Sequence, residues 1–221
     1  MEEIKILPFP PTLKKSAKYE VYELIDKHYK KLPKNPDGSF NEIADGFHNN
    51  DVDALRHAYV SGVFTQVYGE KVADMFGRLN EYFPVGGGSS PNGTKETNMD
   101  LWNNSIGRKY GKKTKTGKEL FDKLLEALKK GELIININDQ RKYTGAPIIE
   151  PNKSNNVVVI EESKTGENLV FFDINKPLML AKSEFISLIL NGQYSNYEIR
   201  NINGKETPVS KKDGITVNNL C

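Results

Sequence analysis

The sequence predicts an α+β protein, with a mainly helical N-terminal domain followed by a small β-rich unit with one helix. Three observations predict it. Apolar residues recur at helical spacing as far as about residue 131. The period then changes to two, in segments such as "NVVVIEES" and "NLVFFDI". A polar, proline-containing stretch, "RKYTGAPIIEPNKSNN" at 141–156, separates the two patterns. The organisation expected is an extended arm over 1–15, a helical domain over 16–140, a linker over 141–155, and a β-hairpin/helix/β-hairpin unit over 156–221.

Each element follows from its residues. Pro8, Pro10 and Pro11 argue for an extended arm, because proline lacks an N–H and restricts the residue before it. "SAKYEVYELIDKHYKKL" (16–32) puts Tyr19, Tyr22, Ile25 and Tyr29 near one helical face, with Ser16 placed to cap it. "PKNPDGS" (33–39) is turn chemistry. A helix from Asp51 to Tyr68, capped by Asn50 or Asp51, ends at Gly69, and another covers 70–82. "PVGGGSSPNGTKETN" (84–98) reads as a long loop, and "MDLWNNSIGRKY" (99–110) as a short helix. "TGKELFDKLLEALKKG" (116–131) is the clearest helix, closed by lysines and Gly131. "ELIININ" from Glu132, "NVVVIEES", "NLVFFDI" and "YEIRNINGKETPV" read as strands, and "KSEFISLILNGQY" (182–194) as a helix ended by Gly192. There is no internal repeat.

Composition narrows the function classes. Ten Phe, ten Tyr and one Trp supply the bulk of a core. With 31 basic and 29 acidic residues the net charge is +2, so there is no strong nucleic-acid signal. The basic run "GRKYGKKTKTGK" (107–118) reads as a solvated loop. The single cysteine, Cys221, excludes disulfide frameworks and cysteine-based zinc sites within one chain. No segment resembles a signal peptide or approaches the ~20 apolar residues of a membrane span. The expected location is the cytoplasm, or outside the cell by a route without an N-terminal signal peptide.

"NNDVDALRHAYVSGVF" (49–64) carries the unusual charges. Stepping 100° per residue around this helix, Leu55, Tyr59, Val52, Val63, Val67, Val60 and Phe64 form a broad apolar arc, and Asp53, Arg56 and His57 lie inside it. The remaining face carries Ala54, Ala58, Ser61, Gly62 and Thr65, small enough for another backbone to approach. Such a helix is buried on nearly all sides, so its charges must be paired. The helix at 99–110 offers the partners: Asp100, Asn103, Asn104 and Gly107 share a face, with Arg108 at its edge. Two readings follow. In one, His57 is a general base or metal ligand oriented by Asp53, Asp100 is the second carboxylate, and Arg56 or Arg108 holds an anionic group. In the other, the charges only lock helix packing.

Rival chemistries are weaker. His48 and His57 with Asp53, Glu81 or Asp100 form a conceivable metal set, but no metal-binding spacing supports it. "GSSPNGTK" has P-loop spacing with the Lys–Thr order reversed, as Thr94–Lys95, and no strand before it. Ser61 sits mid-helix, where serine is mostly a packing choice. Phe171 and Phe172 lack the interleaved basic residues of a base-stacking platform.

"HNNDVDALRHAYVSGV" and "MDLWNNSIGRKYG" together resemble an uncharacterised bacterial domain family with an Asp-x-x-Arg-His-Ala-Tyr helix and a later Met-Asp-Leu-x-Asn-Asn-x-x-Gly-Arg segment. The resemblance covers about residues 44–138. It implies a shared polar set of His48, Asp53, Arg56, His57, Asp100, Asn103, Asn104 and Arg108. It also implies an effector or toxin context, with a cognate immunity or binding protein as partner. Between its two motifs the family shows Gly-x-x-His-Glu; here "GRLNE" puts Asn80 in place of the His and keeps Glu81. Asn80 can accept a hydrogen bond but cannot titrate. The C-terminal part loosely resembles a small hairpin–helix–hairpin module of unknown function.

Overall fold

The computed structural model describes residues 8–82, 94–145, 157–176 and 178–211. It divides into two compact units, Met1–Ile149 and Glu150–Cys221. The first holds helices α1 (Pro10–His28), α2 (Asp51–Tyr68), α3 (Glu70–Tyr82), α4 (Thr94–Gly111) and α5 (Gly117–Lys129). The second holds strands β1 (Val157–Glu162), β2 (Asn168–Asp173) and β3 (Leu178–Ala181), helix α6 (Lys182–Leu190), and strands β4 (Tyr197–Ile202) and β5 (Lys205–Ser210). The architecture is α+β. No helix among the described residues is long and apolar enough to cross a membrane.

α2 is the axle of the helical unit. Asn50 caps it, accepting from the backbone N–H groups of Val52 and Asp53. α1, α3, α4 and α5 all pack on it, which is why it is buried nearly all round. Its small face meets α4 through glycines. A Cβ at Gly107 would overlap the Ala58 carbonyl oxygen, and one at Gly111 would lie 2.5 Å from the Gly62 oxygen. A Cβ at Gly62 would press on Leu120 of α5. The seam therefore brings two helix backbones into contact. Beyond it, Val21, Tyr22 and Ile25 of α1 join Leu55 and Tyr59 of α2 and Phe121 of α5 in one apolar core.

Three local expectations are corrected. Helix α1 begins at Pro10, inside the arm expected over 1–15; residues 1–7 of that arm lie outside the described residues. The first N–H groups of a helix have no acceptor within it, so Pro10 and Pro11 cost no hydrogen bond there and their fixed φ suits the first turn. Helix α4 begins at Thr94, so residues 94–98 extend a helix rather than a loop; the rest of the 84–98 loop lies outside the described residues. "ELIININ" is not a strand. The adjacent Leu133 and Ile134 both turn into the core, which the alternation of a strand does not allow, and the backbone is bonded by side chains instead of a neighbouring strand. Asn103 brackets Ile134, accepting from its N–H at 2.9 Å and donating to its carbonyl at 2.8 Å. Trp102 Nε1 donates to the Glu132 carbonyl, and Arg141 to those of Gly131 and Leu133. The linker expected at 141–155 falls mostly outside the described residues.

In the second unit β1, β2 and β3 form an antiparallel sheet in that order, and β4 pairs with β5. β3 carries no sequence signal: four residues directly before a helix show no readable alternation. Asn203 and Gly204, both at positive φ, turn the β4–β5 hairpin. Phe171, Leu180, Phe185, Tyr194 and Tyr197 make its core. The Asp173 carboxylate is buried there, accepting from the Tyr194 hydroxyl at 2.7 Å and from the N–H groups of Asn175 and Lys176.

Candidate functional site

Helical spacing places Asp53, Arg56 and His57 on one side of α2, facing α4 across the glycine seam. The Asp53 carboxylate accepts from the backbone N–H of Asn49 at 2.7 Å and from Arg56 Nε at 3.1 Å. Arg56 Nη2 bonds the same Asp53 oxygen and, at 2.8 Å, His57 Nε2. Asp100 Oδ1 of α4 lies 3.3 Å from that imidazole nitrogen, and Asn104 shares a hydrogen bond with the ring. The side chain of His57 is 10% exposed and that of Arg56 23%, so the cluster reaches solvent along its Arg56 edge.

A second carboxylate closes the group from α3. Glu81, fully buried, hydrogen-bonds the Asp100 carboxyl. Burial, then the negative charges of Glu81 and Asp53, push Asp100 well above the usual carboxylate range. The Asp100 and Glu81 carboxyls thus share one buried site, and its surroundings favour the protonated form of Asp100. For Asp53, burial works in the same direction, but Arg56 and the Asn49 N–H outweigh it and hold the carboxyl below its ordinary value. Burial and the adjacent Arg56 guanidinium lower His57 to about 3. A guanidinium always donates, so Nε2 is an acceptor and the neutral ring carries its proton on Nδ1.

The sequence reasoning missed Lys14. Its ammonium donates to Asn80 Oδ1, linking α1 to α3 at the border of the cluster. Burial and the charges of Arg56 and Lys18 lower it to about 8, against a smaller opposite pull from Glu81. The signal was present: Lys14, Ala17, Val21 and Ile25 share one face, so a helix begun at Pro10 puts a lysine at a core-facing position.

The structure thus brings Asp53, Arg56, His57, Asp100, Asn104 and Glu81 together. The other expected residues lie elsewhere. His48 is exposed on the segment before α2 and stands apart from the cluster. Asn103 is spent on Ile134. Arg108 turns to α3 and pairs with Asp74 at 2.8 Å, along a groove of ≈ 510 Å³ also bordered by Lys71, Trp102 and Tyr143. Gly77 of α3 leaves room for this arrangement, since a Cβ there would lie 3.2 Å from Asn104 Nδ2. Ser61 is buried within the α2 packing face.

Asp53, His57 and Asp100 each present one ligand atom within 4.8 Å of the others, the one such group among the described residues. Arg56 Nη2 sits on two of those atoms, so a cation would have to displace a guanidinium and settle beside Lys14. The donor set fits a metal poorly.

The fold and cluster define a helical domain built around buried acid, imidazole and guanidinium groups. Residues 15–132 match the family model of a domain of unknown function, DUF6973. That match spans more than half of the chain, and the chain belongs to this family. No solved structure matches it.

Proposed function

We propose that the helical unit is a hydrolytic domain of the effector type, acting on a polar or anionic substrate. The observation that carries this reading is the buried, hydrogen-bonded Asp100–Glu81 pair 3.3 Å from the His57 imidazole, where burial and the neighbouring carboxylates push Asp100 toward its protonated form. A neutral carboxylic acid at physiological pH is the form that donates a proton to a leaving group. Arg56, at the exposed edge, binds the anionic part of the substrate, and Asp53 and His57 hold Arg56 and Asp100 in register. Four helices contribute ionisable groups to one point, which apolar side chains could have filled without burying charge. An effector of this kind has an immunity or binding protein as its partner.

One observation favours a second reading, a charge network that only locks the helices. Arg56 Nη2 already bonds both Asp53 and His57, so the three α2 groups satisfy one another. Asp100→Asn separates the two. An amide imitates a neutral acid in shape and charge, so under the hydrolytic reading the variant stays folded and loses ~100-fold or more in turnover. The assay is a panel of chromogenic esters, phosphodiesters and glycosides. No turnover by the native chain on any of them, with His57→Ala losing roughly 2–4 kcal/mol of stability, establishes the lock instead.

A further inference from the structure

We propose that the groove between α3 and α4 is a carbohydrate-binding site. It stands apart from the hydrolytic reading, because none of the residues that line it belongs to the His57 cluster. Its ≈ 510 Å³ is the size of a small-molecule pocket and holds about one or two sugar rings. Helical spacing builds two of its walls: Trp102, Ser105 and Arg108 follow at three-residue steps along α4, and Lys71 and Asp74 do the same on α3. The third wall is the stretch carrying Tyr143 and Thr144. Asn98 of α4 fastens that stretch, accepting from the Tyr143 N–H at 2.8 Å and donating to the Arg141 carbonyl at 3.0 Å. Trp102 is fixed as well. Its Nε1 donates to the Glu132 carbonyl at 2.9 Å, and the Arg141 guanidinium lies over its ring, 5.3 Å from the centroid.

The chemistry of the lining selects the ligand class. A sugar ring has an apolar C–H face and a rim of hydroxyls, each of which both donates and accepts. Trp102 and Tyr143 supply aromatic surface for the face. Asp74, Arg108, Ser105 and Thr144 supply acceptors and donors for the rim. The acids here are already paired. Asp74 bonds Arg108 Nη2 at 2.8 Å and Arg78 Nε at 2.7 Å, and Glu70 bonds Lys112 at 2.8 Å. Paired charges offer lone pairs and N–H groups with little net field, which suits a neutral polyol better than an ion. The Asp74 side chain keeps 23% of its surface exposed, so a ligand hydroxyl can still reach the carboxylate. Arg108 is 6% exposed, and its Nη1 has no hydrogen-bond partner. A buried guanidinium N–H without an acceptor is costly, and a ligand hydroxyl is the acceptor that a small turn of the guanidinium would bring to it.

The experiment has two arms on the full chain. In the first, the isotope-labelled native protein is titrated, with amide and indole N–H signals followed by NMR. The probes are glucose, galactose, N-acetylglucosamine and their β-linked disaccharides, and, in separate titrations, adenosine monophosphate and benzoate. At least one saccharide is expected to give saturable shifts centred on the Trp102 indole and the amides of Ser105, Tyr143 and Thr144. No saturable shift with any saccharide overturns the proposal, as do shifts centred elsewhere. Saturation of the same signals by adenosine monophosphate or benzoate and by no saccharide also overturns it, in favour of an anionic aromatic ligand. In the second arm, Tyr143→Ala and Asp74→Asn are titrated with the saccharide that binds, and their spectra report whether they are folded. Loss of the aromatic wall is expected to weaken binding about 10-fold. Unchanged affinity in both folded variants overturns the assignment. The first arm uses no variant and decides the matter even where these do not fold, and neither arm depends on turnover by the His57 cluster.

Discussion

His57→Gln turns the burial of the imidazole into a measurable slope. In the folded chain the ring is neutral, with a pKa of about 3, against about 6.5 when unfolded. Between those values the unfolded chain takes up a proton that the folded chain refuses. Stability therefore falls as the pH drops through this window and is fully restored above about pH 6.5. From pH 7 to about pH 4.5 the unfolded pKa is passed by two units, which makes the His57 contribution to the loss about 2–3 kcal/mol. Glutamine is neutral throughout and its Oε1 still accepts from Arg56, so the variant lacks this slope while keeping the contact. Carboxylates change with pH in both proteins, and the difference between the two curves isolates His57. The assay is urea unfolding followed by Trp102 fluorescence. Trp102 is the single tryptophan and lies on α4, so it reports the helical unit alone. Parallel pH dependences in the two proteins would mean that the imidazole is not buried neutral, and the cluster as described would not exist.

Three further outcomes follow from the packing. Gly107→Ala forces a methyl into the Ala58 carbonyl, where backbone must move; a loss of at least about 3 kcal/mol, or failure to fold, is expected in thermal unfolding. Asn103→Ala leaves the N–H and carbonyl of Ile134 without their side-chain partner in a buried place, for about 2–4 kcal/mol, and hydrogen exchange at the Ile134 amide should accelerate with it. Asn50→Ala removes the cap of α2 and should cost about 1 kcal/mol by urea unfolding, with no change in the far-UV spectrum of the folded state.

The α+β division and the meeting of the His57 and Asp100 helices were legible because both depend on periodicity. Charges inside an apolar arc must find partners, and the second helix carried a matching face. Small residues opposite them announced the seam that Gly62, Gly107 and Gly111 form. What escaped were features decided by a single long-range contact. Nothing in "ELIININ" reveals that Asn103, about thirty residues earlier, replaces a neighbouring strand. Arg108 lay at the edge of the right face, yet Asp74 of α3 drew it away from His57. His48 sits between the buried Phe47 and Asn49, whose N–H bonds Asp53, and its own side chain faces solvent. Lys14 was hidden by reading the two prolines as the end of a possibility when they are the beginning of a helix.

The close α2–α4 approach determines how anything reaches the interior. Helices held backbone to backbone cannot slide or part without losing their shared contacts, so His57 and Asp100 have a fixed floor beneath them. Of the α2 and α4 charges gathered there, the Arg56 guanidinium, 23% exposed, is the one nearest to solvent.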